Sequence, residues 1–122
     1  MALTKDDVCR RIASMHLDEP DLIVVRDGDG FAVEDHPCGG GCVSDIGSCF
    51  EVPEQADEHG RYGFTAGPWT GYQYHASYTA PRRSNYEAEL DDLAAGDIRA
   101  LIVGCGPIPE DDTWVFAIRT LA

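Results

Sequence analysis

One histidine and three cysteines fall within residues 36–49, and both residue types are common zinc ligands. The group consists of His36, Cys38, Cys42 and Cys49. Three glycines separate Cys38 from Cys42, a spacing found in the first half of many zinc sites, and they would let the backbone wrap closely around an ion. His36 and Cys49 have no regular spacing, so a disulfide and reduced thiols stay open as alternatives. We predict either no cofactor or one zinc ion in this group.

Catalytic motifs are weak in this chain. Cys105 lies between two glycines after an apolar segment, as the nucleophile of an elbow motif does, but Pro107 and Pro109 exclude the helix that must follow it. No cysteine and histidine have the spacing of a known nucleophile–base pair. We therefore expect no enzymatic activity. A small enzyme or zinc-binding module centred on residues 38–49 is an alternative.

Four carboxylates accompany a predicted β-hairpin. Asp27 and Asp29 alternate with glycines between two apolar segments, a pattern typical of a tight turn, and Glu34 and Asp35 end the second strand. The further acids and distal glutamate of a calcium-binding loop are missing. A hairpin holds its side chains rigidly, so these carboxylates would lose little entropy on docking to a basic surface. We predict that they bind a partner.

The segment 61–83 contrasts with the acidic part of the chain, because it has six of the eleven aromatic residues, three arginines and no acid. Tyr72 and Tyr74 alternate with polar residues, as in a half-buried strand. Tyrosines in such a strand either pack under a helix in the core or act as hot spots of an interface. We include both in the predicted partner-binding surface and keep the core role as the alternative.

The charge distribution bounds the kind of partner. Nine Lys and Arg residues stand against 22 Asp and Glu residues, giving a net charge of −13, and residues 17–60 contain twelve acids and a single base. Such a field repels nucleic acid and anionic membranes and attracts basic protein surfaces. A solvated face that only maintains solubility and adaptation to high salt are the alternatives.

These observations predict a non-catalytic acidic inhibitor that blocks a basic nucleic-acid-handling protein. The expected type is an anti-CRISPR, anti-restriction or nuclease-inhibitor protein whose carboxylates imitate the phosphates of DNA. An immunity protein for a secreted toxin is the alternative. No apolar run is long enough to span a membrane, and no basic stretch precedes an apolar run at the N-terminus, so we expect a cytoplasmic protein without direct contacts to membrane or nucleic acid.

The elements that would position these residues follow from periodicity. The 122 residues predict a single α+β domain over residues 1–122, with a mostly antiparallel sheet, two helices and the order α-β-β-loop-β-β-α-β-β. Thr4 and Asp7 resemble a capping box and predict a helix over about 5–16. A long loop rich in Gly, Cys and acids is expected over 36–60.

The second half of the chain predicts two hairpins on either side of a helix. Strands are expected over 62–66 and 72–78, with the bend at Gly67 and Pro68, and again over 98–103 and 114–121. Between them, Ser84 and Glu87 form a second capping-box pattern, and Gly96 predicts the end of that helix. Its apolar residues would face the sheet. Its acids, Glu87, Glu89, Asp91 and Asp92, would face water.

Overall fold

The described residues form two helices and six strands. The computed structural model describes residues 2–15, 21–35, 55–66, 69–74, 87–105 and 113–121. The elements are α1 (Lys5–Ala13), β1 (Leu22–Asp27), β2 (Gly30–Asp35), β3 (Tyr62–Ala66), β4 (Trp69–Gln73), α2 (Glu87–Ala95), β5 (Ala100–Cys105) and β6 (Thr113–Leu121). The predicted α+β class is confirmed. Ser84, the bend at residues 67–68 and the predicted loop up to residue 54 lie outside the described residues.

The six strands form one antiparallel sheet in the order β2-β1-β5-β6-β4-β3. Three pairs of consecutive strands therefore lie side by side, with β5 and β6 in the middle. The prediction of a central strand near 98–103 is confirmed, because Ile102 and Val103 point to opposite faces of β5 and both are 0% exposed. Strands β2 and β3 are the two edges.

Both helices pack on the same face of the sheet. Val8 and Ile12 of α1 and Leu90 and Leu93 of α2 belong to one hydrophobic core. The sheet residues of that core alternate along their strands: Leu22, Val24, Leu101, Val103, Ala117 and Tyr72. Removing one such buried Leu or Ile side chain typically costs about 2–5 kcal/mol, so this core fixes α2 over β5 and β1.

Helix α1 begins as predicted and ends earlier. The Thr4 hydroxyl accepts a hydrogen bond from the Asp7 amide at 3.1 Å, and Asp7 in turn accepts one from the Thr4 amide at 3.0 Å. The helix ends at Ala13 rather than near 16, because the Ser14 side chain donates to the Arg11 carbonyl at 2.9 Å and competes with the helical pattern. Lys5 joins the helices through its ammonium, which lies 2.8 Å from Asp91 Oδ1 and 4.0 Å from Glu87 Oε2.

The two predicted hairpins that precede α2, β1–β2 and β3–β4, are present. Asp27 pairs with Gly30, and Gly28 adopts a φ of +59° in the two-residue turn between them. The strand predicted over 72–78 instead begins at Trp69, and its residues after 74 lie outside the described part. A register shift separates Thr70 from Gly71, where the strand passes so close to β6 that any Cβ would clash with the Ala117 carbonyl.

Candidate functional site

The four carboxylates of the acidic hairpin (β1 and β2 with Asp27, Asp29, Glu34 and Asp35) are all exposed. Asp27 and Asp29 lie at the turn, whereas Glu34 and Asp35 lie at the opposite end of β2, about 15 Å away at 3.3 Å per strand residue. Glu34 and Asp35 are consecutive in the strand, so their side chains point to opposite faces. The structure thus forms two separate pairs of acids rather than one cluster.

Among the described residues, the hairpin carboxylates have no cationic partner, unlike Asp7, Asp57 and Asp91. Asp7 lies 2.6 Å from the Arg10 guanidinium, Asp91 lies 2.8 Å from Lys5, and Asp57 lies 2.9 Å from Arg61. Among the residues that the structure describes, no basic side chain forms an ion pair with any of the four hairpin acids. Their charge therefore faces solvent without compensation, at an edge of the sheet.

A second polar group lies between α2 and β4, and we call it the tyrosine–carboxylate cluster. It consists of Tyr72, Tyr74, Glu89 and Asp92, with Arg61 and Arg119 beside it. The Tyr72 and Tyr74 hydroxyls both donate to Asp92 Oδ2, the Tyr74 hydroxyl at 2.8 Å. The two rings meet edge to face with centres 5.5 Å apart. Burial, and then the bond to Asp92, raise the pKa of Tyr74 to about 12 and that of Tyr72 further still.

Burial decides between the two interpretations of these tyrosines. Tyr72 is 1% exposed and belongs to the core, so its side chain is not on a contact surface, and the alternative of packing under a helix describes it. Tyr74 is half-buried and packs against the same core. Direct partner binding by Tyr74 remains a prediction.

Two arginines flank the Tyr72 ring. The guanidinium carbons of Arg61 and Arg119 lie 5.0 and 4.7 Å from its centre, within the range of cation–π attraction. Arg119 belongs to β6 and Arg61 directly precedes β3, and β4 lies between these two strands. The cations therefore reach the ring from both neighbouring strands. They are placed to stabilise the aromatic side of the cluster.

Asp57 fixes the position of Arg61. Its carboxylate accepts hydrogen bonds from the His59 amide at 2.8 Å, the Arg61 amide at 2.9 Å and Arg61 Nε at 2.9 Å. These donors, the Arg61 amide foremost, lower the pKa of Asp57 to about 2. A turn closed by Gly60, with φ of +80°, lets the chain fold back on Asp57.

Glu89 is the residue that sequence reasoning placed wrongly. It was expected to face water, but it is 0% exposed, and among the described residues neither carboxylate oxygen has a hydrogen-bond partner. Burial raises the pKa of Glu89 to about 7. The backbone amides of Glu89 and Tyr74 lower this pKa in part, although neither reaches hydrogen-bond geometry. The charge of Asp92 raises it further. Asp92 was also expected in water and is half-buried under the tyrosines.

A signal for the burial of Glu89 is present in the sequence. Glu89 precedes Leu93 by four residues, so both lie on the same face of α2. The prediction treated every acid of the helix as outward-facing and gave residue type more weight than helical position. Glu87 and Asp91 are exposed, as expected.

The predicted zinc ligands cannot be placed. His36, Cys38, Cys42 and Cys49 lie outside the described residues, so the zinc prediction stays a prediction. Within the described ranges, no group of three or more His, Cys, Asp or Glu residues could hold a metal ion. Cys9 packs against the core, and burial raises the pKa of its thiol.

An open depression of about 420 Å³ lies at the end of α2, lined by Val25, Arg26, Leu93, Gly96, Ile98 and Arg99. Arg26 donates to the Ala94 carbonyl at 3.4 Å and so closes the end of the helix, as cations commonly do there. Among the described residues that line it, there is no nucleophile or carboxylate.

In the part of the chain that the structure describes, no helix has the length and apolarity needed to cross a membrane. No protein-family model, no curated protein and no solved structure matches this chain.

Proposed function

We propose that this protein is a non-catalytic acidic inhibitor that binds a basic surface of a nucleic-acid-handling protein. The observation that carries the proposal is the state of the hairpin acids. Asp27, Asp29, Glu34 and Asp35 are exposed and, among the described residues, have no cationic partner, whereas the fold uses the acids at positions 7, 57, 91 and 92 internally.

The position of these acids suits electrostatic docking. They lie on a two-stranded hairpin whose register is fixed by six residue pairs, so their carboxylates are held on a rigid support. Each can form a charge-assisted hydrogen bond with an Arg or Lys of the partner. The net charge of −13 steers such a partner during approach.

The two separated pairs of acids favour a particular kind of partner. Acids at both ends of β2, of which only one of Glu34 and Asp35 faces a given side of the sheet, match an extended basic groove better than a single basic pocket, and grooves of this kind bind the phosphates of nucleic acids. Competition for such a groove is the proposed mode of inhibition. It requires no catalytic group in this chain.

The test compares two variants of equal charge. The hairpin variant carries Asp27→Asn, Asp29→Asn, Glu34→Gln and Asp35→Asn. The control removes four exposed acids elsewhere, with Asp6→Asn, Glu58→Gln, Glu87→Gln and Asp97→Asn. Partners are captured at low salt with the unmodified protein and identified, and the affinity of each variant for them is then measured as salt rises.

We expect the hairpin variant to bind roughly 100-fold more weakly, a loss of about 2.7 kcal/mol, mainly through slower association. The control should bind within a few-fold of the unmodified protein. Equal affinity losses in both variants would reduce the effect to net charge and reject the hairpin as the site. A captured partner that does not handle nucleic acid would favour the toxin-immunity alternative.

A further inference from the structure

Glu89 occupies an environment that is suited to an uncharged acid. Its side chain lies where α2 packs on the sheet, with 0% exposure and no hydrogen bond to either oxygen. The backbone amide of Tyr74, directly after β4, is its polar neighbour from the sheet. A buried carboxylate normally needs a cation or several donors to remain charged.

The surrounding groups do not supply that compensation. Tyr72 of β4 and Tyr74 directly after it already donate their hydroxyls to Asp92. Arg61 and Arg119 lie over the Tyr72 ring, and Lys5 of α1 is paired with Asp91. Among the described residues, the charged group that acts on Glu89 is Asp92, an acid one helical turn further along α2. Ionisation of Glu89 would place two carboxylates together.

We propose that Glu89 makes the packing of α2 on the sheet depend on a proton: protonated Glu89 keeps the helix docked, and ionised Glu89 makes its local opening more frequent. Burial without a partner is the physical cause, and the raised pKa of Glu89, about 7, puts the transition near neutral pH. Opening would expose Leu90, Leu93 and the Tyr72 ring, which are buried in the docked state. Below neutral pH the protein would then expose only its acidic surface. Above neutral pH the open form would expose an apolar surface as well.

Hydrogen exchange measures this opening directly. Exchange of the backbone amides of residues 90–95 is followed from pH 5.5 to 8.5, corrected for the intrinsic pH dependence of exchange, and compared with residues 101–103 of β5. With a pKa of 4.5 for the solvated acid and about 7 for the buried one, the protection of α2 should fall roughly 30-fold across this range. Protection of β5 should fall less.

Two substitutions isolate Glu89 as the cause. Glu89→Gln and Glu89→Met remove the titrating group while keeping its approximate size, and in both the protection of α2 should no longer depend on pH. Glu87→Gln makes the same chemical change at an exposed position of the same helix and should behave as the unmodified protein.

The carboxyl ¹³C shift of Glu89 in the unmodified protein gives an independent reading, even if both substitutions impair folding. A titration midpoint near 7 supports the proposal. A midpoint near 4.5 would overturn it, and so would pH-dependent protection of α2 that persists in Glu89→Gln or Glu89→Met.

Discussion

Carboxylates occupy two contrasting environments in this protein. In the acidic hairpin they are exposed, separated in pairs and without cationic partners among the described residues. In the tyrosine–carboxylate cluster, Asp92 accepts two phenolic hydrogen bonds and Glu89 is fully buried. The hairpin acids contribute charge to the surface and little to the fold. The cluster acids contribute to helix packing, where their charge is costly and must be compensated or neutralised.

The contrast shows that the number of acids determines the electrostatic field of the protein but not the role of each acid. When ionised, each acid of either region adds one negative charge to the net −13, yet only the four hairpin acids carry that charge on the surface. Four predictions test this division, beginning with the largest effect.

Glu89 should make the protein less stable as pH rises. Its pKa is raised from 4.5 to about 7 in the fold, so the folded state holds a proton that the unfolded chain has already released between these values. We expect the free energy of unfolding to fall by about 3 kcal/mol from pH 4.5 to above 7 through this group. Urea denaturation of the unmodified protein and Glu89→Gln should give similar values at pH 4.5, and at pH 8 the variant should be the more stable.

Asp92→Asn should destabilise the protein by about 2 kcal/mol, because hydrogen bonds to a charged acceptor contribute about 1.5–3 kcal/mol and the amide is a weaker acceptor. Denaturation at pH 7 measures the change, with the exposed Asp97→Asn as the control. In Tyr72→Phe/Tyr74→Phe the further cost of Asp92→Asn should largely disappear. If the losses in unfolding free energy simply added, the stabilising effect of the two hydroxyls would not come from their bonds to Asp92.

Asp57→Asn should lower the melting temperature by less than Asp92→Asn does, because Asp57 is exposed and solvent screens its pairing with Arg61. The pKa of Asp57 is lowered to about 2, so its stabilising effect is present above its ordinary value of 3.8 and is lost as pH falls through 2. Thermal melts from pH 6 to 2 should therefore converge for the two proteins at the acidic end. A difference in melting temperature that does not change with pH would mean that the charge of Asp57 does not contribute to stability.

The four hairpin substitutions should leave stability within about 0.5 kcal/mol of the unmodified value, because exposed acids without partners contribute little to folding. Denaturation at low and high salt tests this. A loss above about 1 kcal/mol would place these acids within the fold and remove the basis of the comparison.

Sequence reasoning predicted the local features of this fold well. The Thr4–Asp7 cap, the turn at Gly28 and the end of α2 at Gly96 (φ of +84°) depend on residues close together in the chain, and each is confirmed. The order of the strands within the sheet was not predicted, because pairings such as β1 with β5 join segments far apart in the sequence.

The cluster was missed for the same reason. Glu89 and Asp92 look like solvent-facing acids when α2 is considered alone, and their true environment depends on tyrosines some 15 to 20 residues earlier. The exposure of the hairpin acids was predicted, because exposure near a turn depends on residues close together in the chain. Their separation into two pairs follows from strand length and alternation, which the prediction did not work out.

The ion pair between the two helices has a practical consequence, because Lys5 is the only lysine in the sequence. Its ammonium lies 2.8 Å from Asp91, and that bond raises its pKa, so it reacts slowly with acylating reagents while α1 and α2 stay together. Reagents that join a carboxyl group directly to an amine would find many acids here and hardly any free amine. A covalent link formed in a complex would therefore run from an acid of this chain to a lysine of its partner, and a peptide map of the linked acids would outline the contact.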